Sequence, residues 1–240
     1  MTYASLTFRR SDLSPIACNE ARQMTALAAN GAISPRIFAR GSDGETINTP
    51  PRIVFAGGHG MIRIHGLGIA GSLHLMEERA SLAKALYKQG FRTCEVQEGQ
   101  MSMDWAEERP GLYNIGKLVV AKKPKHCGQY IRTALNDELK AKCAEIVLTG
   151  LSTLATMLDD ELIEYNQKPT YCRDLPGHVE VLDGAPTKVI IRPGIWGAAY
   201  GGVLVQVPRK LNGPWCVGQL RSRGFGLMQR VNPTKPRRTA

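Results

Sequence analysis

The chain has 240 residues, 43% of them hydrophobic, which marks it as globular and long enough for one large domain or two small ones. Its formal net charge of +10 sits at one end: Met1 to Thr187 carries 21 basic and 21 acidic residues, whereas Lys188 onward carries ten basic residues and no acidic one, the pattern of a polyanion-binding surface rather than of solubility alone. No apolar run approaches the roughly 20 residues of a membrane span, no signal peptide is visible, and the six cysteines show neither CxxC pairs nor zinc spacing; a reduced cytoplasmic protein without a membrane role is expected.

Thr2 to Arg10 reads as a strand with Tyr3, Leu6 and Phe8 as its larger apolar members. After the turn signal Ser14-Pro15, Asn19 to Asn30 reads as a helix, capped by Asn19, apolar through Ala21, Met24, Leu27 and Ala28, and stopped by Asn30-Gly31. Strand followed by helix is the start of a ferredoxin-like unit. Arg22 lies on the first turns of that helix, and Arg36 and Arg40 follow Pro35 in a short connection; any one of them is also compatible with an ordinary surface arginine.

A glycine turn at Gly57-Gly58-His59-Gly60 leads into a strand, Met61 to His65, and Gly66 to Gly71 then matches the GxGxxG dinucleotide fingerprint literally. The context fails the motif. The helix Leu73 to Lys88 runs on to Gly90, so the next strand, Phe91 to Val96, starts late, Glu95 and Glu98 overshoot the offset of about 20 residues, and no strand–helix alternation follows. A nucleotide-cofactor enzyme therefore stays only as a remote alternative, and no cofactor is expected. His59, His65 and His74 can each serve as a general base or as a satisfied structural residue; without HxH or HExxH spacing or a local carboxylate partner, no metal is expected.

Trp105 to Asn114 is a polar connection with a turn at Pro110-Gly111, followed by the strand Tyr113 to Ala121. Lys122, Lys123 and Lys125 then make a short basic loop, either a phosphate-contacting tip or a solvated turn. Gln129 to Tyr165 has the clearest helical period, with Leu135, Leu139, Cys143, Val147, Leu151 and Leu154 recurring at three or four; Gly150 divides it and Ser152 caps a second helix. Strands return at Val179 to Leu182, Lys188 to Arg192, Gly202 to Val207 and Leu227 to Val231, with turns at Asp183-Gly184, Pro193-Gly194 and Asn212-Gly213 and a tail from Asn232 expected to be mobile. The fold class is α+β: one or two ferredoxin-like, RNA-recognition-like βαββαβ units with a helical insertion, arranged as an N-terminal unit 1–121, the insertion 122–170 and a basic strand-rich unit 171–240.

Within that basic end, Gly218 to Gly226 combines three glycines, two arginines at i and i+2, and one aromatic ring. Glycines allow close backbone approach and guanidinium forks suit phosphate oxygens, so the loop reads as a nucleic-acid clamp, with Phe225 available to stack on a base or to anchor the loop in a core. In the form GxxRxRGFG just before the last strand, it resembles the C-terminal glycine-rich loop of the CRISPR-associated ferredoxin-like RNA-binding superfamily, and within it the repeat-RNA endonucleases that mature CRISPR RNA, the type IV branch in particular.

That resemblance implies metal-independent cleavage of a repeat stem-loop by attack of a ribose 2′-hydroxyl on the adjacent phosphate, the protein remaining on the crRNA beside other subunits of a CRISPR ribonucleoprotein. The RNA-binding residues it and the charge pattern indicate are Arg40, Lys122, Lys123, Lys125, Arg209, Lys210, Gly218, Arg221, Arg223, Gly224, Phe225 and Gly226. Many members place a histidine on or near the first helix, where this chain has none; Arg22 and Arg36 fall in that neighbourhood as the candidate catalytic pair, with His59 or His65 as fallback base. The alternative is a non-cleaving RNA-binding subunit using the same surface.

Overall fold

A computed structural model of the protein describes residues 1–41, 43, 45, 51–105, 110–121, 133–159, 177–192 and 194–231. The basic loop Lys122 to His126, the outer ends of the long helical stretch and the tail from Asn232 lie outside these residues.

The first unit runs β1 (Thr2–Arg9), α1 (Cys18–Ala29), β2 (Ile53–Gly58), β3 (Met61–Leu67), α2 (Gly68–Glu77), α3 (Arg79–Tyr87) and β4 (Thr93–Gln100). Its sheet has the order β2-β3-β1-β4 with every pairing antiparallel, the ferredoxin-like βαββαβ arrangement. Leu6 and Phe8 of β1, Phe55, Ile62 and Ile64 of its neighbours, and Leu75, Leu82 and Leu86 of the helices form one buried cluster. Helix α1 begins two residues earlier than Asn19 capping requires. Glu20 caps it instead, its Oε2 accepting the Ala17 amide at 2.9 Å, while Asn30 closes the helix in the left-handed conformation as its sequence suggests. The single helix expected over Leu73 to Lys88 is two, with Glu78 between them.

The second unit repeats the plan with β6 (Gly111–Ala121), α4 (Asp137–Asp159), β7 (Glu180–Arg192), β8 (Ile195–Val207) and β10 (Met228–Arg230), in the sheet order β10-β6-β8-β7. In both sheets the first strand lies between the last and the third. Where the first unit has its second helical segment, this one has a short strand, β9 (Arg209–Asn212), and the glycine loop. Strand β9 pairs with β5 (Ser102–Trp105) in a two-stranded ribbon, held to the base of the loop by the buried Trp215, whose Nε1 donates to Asn212 O at 2.8 Å and to Ser102 O at 3.2 Å.

Several local readings are corrected. Helix α4 is continuous through Gly150, and Ser152 is an interior residue. Its apolar stripe, Leu139, Cys143, Val147, Leu151 and Leu154, is buried against Leu118, Val181 and Val203, so the helix packs on the sheet of the second unit. Strand β6, which precedes the expected boundary at 121, hydrogen-bonds to β8 and β10. Asp183-Gly184 bulges one long strand instead of ending it, because β8 continues opposite. The GxGxxG run enters an antiparallel sheet: a Cβ on Gly66 would strike the Gly71 carbonyl, and one on Gly71 would come 2.7 Å from Arg52 O, so these glycines let α2 pack onto β3. No described helix is long and apolar enough to cross a membrane.

Candidate nucleic-acid interface

The glycine loop is tied down at both ends before it carries any ligand. The Val217 amide donates to Gly226 O at 3.0 Å and the Gly226 amide to Lys117 O at 2.9 Å, closing the loop on the edge of β6. Gly224 and Gly226 both have φ +81°; a Cβ on Gly224 would collide with the Phe55 carbonyl of the first unit, and one on Gly226 with the Val217 carbonyl. These two glycines therefore serve a backbone-to-backbone approach within the protein. Phe225 is 2% exposed and packs on Val119, Val189 and Ala199 with Cys18 beside it. Of its two readings, stacking on a base is excluded by burial and anchoring is what it does.

Between these anchors, Arg221 to Arg223 form a single 3-10 turn. At three residues per turn, positions i and i+2 diverge, so the two arginines serve different sides of the loop. Arg223 donates through Nη1 to the Ile191 carbonyl and faces Arg40. Arg22 reaches the same place from α1: its Nη2 donates to Phe38 O at 2.6 Å, its guanidinium lies 5.7 Å from the Phe38 ring centroid, and Phe38 stacks on Phe55 at 5.9 Å. Burial, then Arg223, then Arg40 push the Arg22 guanidinium down to about 10, and burial followed by Arg40 lowers Arg223. The Nε of Arg22 is shielded from solvent and has no hydrogen-bond partner. Three cations from α1, the segment after the turn Pro35–Phe38, and the loop thus repel one another at the seam of the two units, an arrangement an anion would relieve.

With this geometry, solved structures provide a comparison over nearly the whole chain. No family model matches the sequence, and no curated protein matches it. Csf5, a CRISPR-Cas type IV Cas6 crRNA endonuclease, superposes with a TM-score of 0.67 at 16% identity, covering 97% of this chain and 100% of that one. Cas6b gives 0.64 at 13% identity over 96% and 100%, and a CRISPR RNA processing endoribonuclease Cas6b gives 0.55 at 12% over 96% and 100%. The fold is that of the Cas6 proteins.

Within this Cas6 fold the expected site residues separate. Arg22, Arg40 and Arg223 come together beside Gly224, whereas Gly218 lies on the α4 side of the loop with Arg221. Arg36 is exposed on the turn that carries Phe38, and it is not among the charges acting on Arg22 or Arg223. Arg209 lies in the β5–β9 ribbon with its guanidinium 3.3 Å from the Trp105 ring centroid, next to the exposed Lys210, away from the cluster in the topology. Arg221 lines a groove on the α4 side of the loop. Lys122, Lys123 and Lys125 are outside the described residues.

The histidine readings change most. His65 is buried in β3, its Nδ1 2.7 Å from Ser5 Oγ, and burial followed by the nearby Arg63 holds it down to about 3; a neutral, enclosed ring is no fallback base. His59 is exposed at the β2–β3 turn. His74 does have a local carboxylate, Glu77 Oε2 at 3.5 Å from its Nδ1, one helical turn on. Among the described residues no three His, Cys, Asp or Glu side chains are grouped to hold a metal.

Two features had little signal in the sequence. Lys117, isolated in an apolar strand, lines a groove with Cys18, Asn19, Gly57, Gly226 and Gln229 alongside the loop. Trp196 is exposed on β8 with Lys188 Nζ 4.8 Å from its ring centroid, on the hairpin whose Ile191 receives Arg223. A lone lysine in a strand and a tryptophan beside glycines read equally as surface and core.

Proposed function

We propose that the protein matures CRISPR RNA by cutting a repeat stem-loop, and that it stays on the product as a ribonucleoprotein subunit. The observation that carries this reading is the Arg22–Arg40–Arg223 cluster at the seam where the glycine loop docks on α1 and β2. It is supported by a fold shared with proteins described as crRNA endonucleases. Two half-buried guanidinium groups, Arg22 and Arg223, with the exposed Arg40 beside them and each repelling the others, form a receptor for phosphate charge, and most of all for the extra charge of a pentacovalent phosphorane.

In the proposed step the ribose 2′-oxygen loses its proton and bonds to the adjacent phosphorus. The bond from phosphorus to the 5′-oxygen breaks, leaving a 2′,3′-cyclic phosphate upstream and a 5′-hydroxyl that takes a proton downstream. No metal and no protein nucleophile enters. Arg22 holds the phosphate and the developing charge, with Arg223 and Arg40 beside it; Arg36 acts on the flanking strand from the exposed turn. Lys117 and Lys188 extend the basic track along the loop.

A second reading is favoured by one observation: the described part of the cluster is made of arginines, poor proton acceptors, and His65 is enclosed in the sheet. On that reading the protein binds the RNA without cutting it. Alanine at Arg22 and at Arg36, each assayed for repeat-RNA affinity and single-turnover cleavage, separates the two. Loss of cleavage exceeding loss of affinity is expected; intact affinity and cleavage in both variants would remove the assignment.

A further inference from the structure

The two arginines of the glycine loop have different surroundings, Arg223 at the Ile191 carbonyl and Arg221 in the groove on the α4 side. We infer that Arg221 belongs to a second nucleotide subsite, in the groove between α4 and the loop, which takes a different phosphate of the same RNA; this rests on the RNA-processing reading. The groove is built by Gly150, where α4 meets the loop so closely that a Cβ would lie 2.9 Å from Val217 Cβ and 3.1 Å from the Gly218 amide nitrogen. Its walls carry Lys142 and Thr149 on α4, Val120 on β6, and Gln219 and Arg221 on the loop, with Glu145 at the same lining.

Two polar atoms here lack partners. Arg221 Nη1 is a donor and Gln219 Oε1 an acceptor, both shielded from solvent and neither hydrogen-bonded among the described residues. Such groups carry an uncompensated desolvation cost that a ligand can remove. The pair calls for an anionic acceptor next to an O–H or N–H donor. A backbone phosphodiester, which carries no proton, offers only the first. A nucleotide offers both, its phosphate to Arg221 and Lys142 and a ribose hydroxyl or base amino group to Gln219. The opposite flank of the loop, with Arg223, Arg22 and Arg40, would then hold a separate phosphate, so the RNA strand straddles the 3-10 turn.

The test is phosphate-ethylation interference on the full-length protein with repeat RNA, comparing wild type with Arg221→Ala, Lys142→Ala and Arg223→Ala. Lys142 is exposed on a helix, so its variant folds even where a loop variant does not. Interference is expected to vanish at one set of phosphates in Arg221→Ala and Lys142→Ala and at another in Arg223→Ala. Each α4-side variant should bind roughly tenfold more weakly, and its log–log salt slope should be shallower by about 0.7–0.9. A 2′-deoxy substitution at the mapped nucleotide that weakens wild type but not Gln219→Ala identifies the ribose hydroxyl as the donor; no effect assigns it to the base. Arg221 and Arg223 releasing the same phosphates, or unchanged maps for Arg221→Ala and Lys142→Ala in a protein that binds RNA, would overturn the second subsite alone. Failure of wild type to bind repeat RNA would overturn the functional reading as well.

Discussion

Replacing Arg22 by methionine keeps the aliphatic stem and removes the charge. In the free protein the cation is disfavoured: the fall from the ordinary arginine range to about 10 corresponds to roughly 3 kcal/mol, an upper figure because one edge of the group remains open to solvent. The pKa is depressed, so this cost is fully present below about pH 10 and fades only as pH rises from there toward the ordinary arginine range. Against it stand the hydrogen bond to Phe38 O, about 1.5–2 kcal/mol for a charged donor, and the contact with the Phe38 ring, about 0.5–1 kcal/mol. The terms nearly cancel. Arg22→Met should therefore change unfolding free energy by no more than about 1 kcal/mol in either direction, moving the melting temperature by about 2–4 °C. Repeat-RNA affinity, measured by filter binding at fixed salt, should fall about tenfold or more through loss of a charge-assisted phosphate contact. A melting temperature lowered by 8 °C or more with unchanged RNA affinity would make Arg22 a structural residue and refute the reasoning.

The loop anchors give a contrasting signature. Phe225→Ala should cost about 3–4 kcal/mol of stability, whereas Phe225→Leu should fold and keep RNA affinity within about threefold, because the ring it replaces is enclosed; tenfold weaker RNA binding by a stably folded Phe225→Leu would restore base stacking. Gly224→Ala forces a Cβ against the Phe55 carbonyl at φ +81° and should lose about 2 kcal/mol or more in chemical denaturation, more than the same change at the open Gly202. His65 is held neutral, with its folded value near 3 against 6.5 unfolded, so it contributes stability above pH 6.5 that is lost as pH falls toward 3; His65→Gln should flatten the stability profile across that window, and an unchanged profile would contradict its burial.

The layout of the molecule was legible where side-chain period and punctuation act locally. The apolar run of β1 and the Asn30 stop of α1 both correspond to what the structure contains. Readings failed where long-range packing overrides a local signal. Gly150 looks like a helix break, yet it is held in α4 because only a glycine lets the helix meet Val217. Asp183-Gly184 looks like a turn, but β8 supplies partners on both sides of it. Sequence shows what a residue type permits and not which surface it meets: Gly224 meets the Phe55 carbonyl of the first unit, Gly226 the Val217 carbonyl, and Phe225 packs on Val119, Val189 and Ala199. Arg22 and Arg223, about 200 residues apart, could be paired only through the docking of two units.

The central claim is tested most directly by incubating the intact protein in excess over its repeat stem-loop RNA in a chelator and identifying the ends of any product. One discrete cut is expected, with a 2′,3′-cyclic phosphate on the upstream fragment and a 5′-hydroxyl on the downstream one, slowed strongly by Arg22→Met. RNA left unbound, RNA bound but uncut, or cleavage that appears only when a divalent metal is restored would each contradict it.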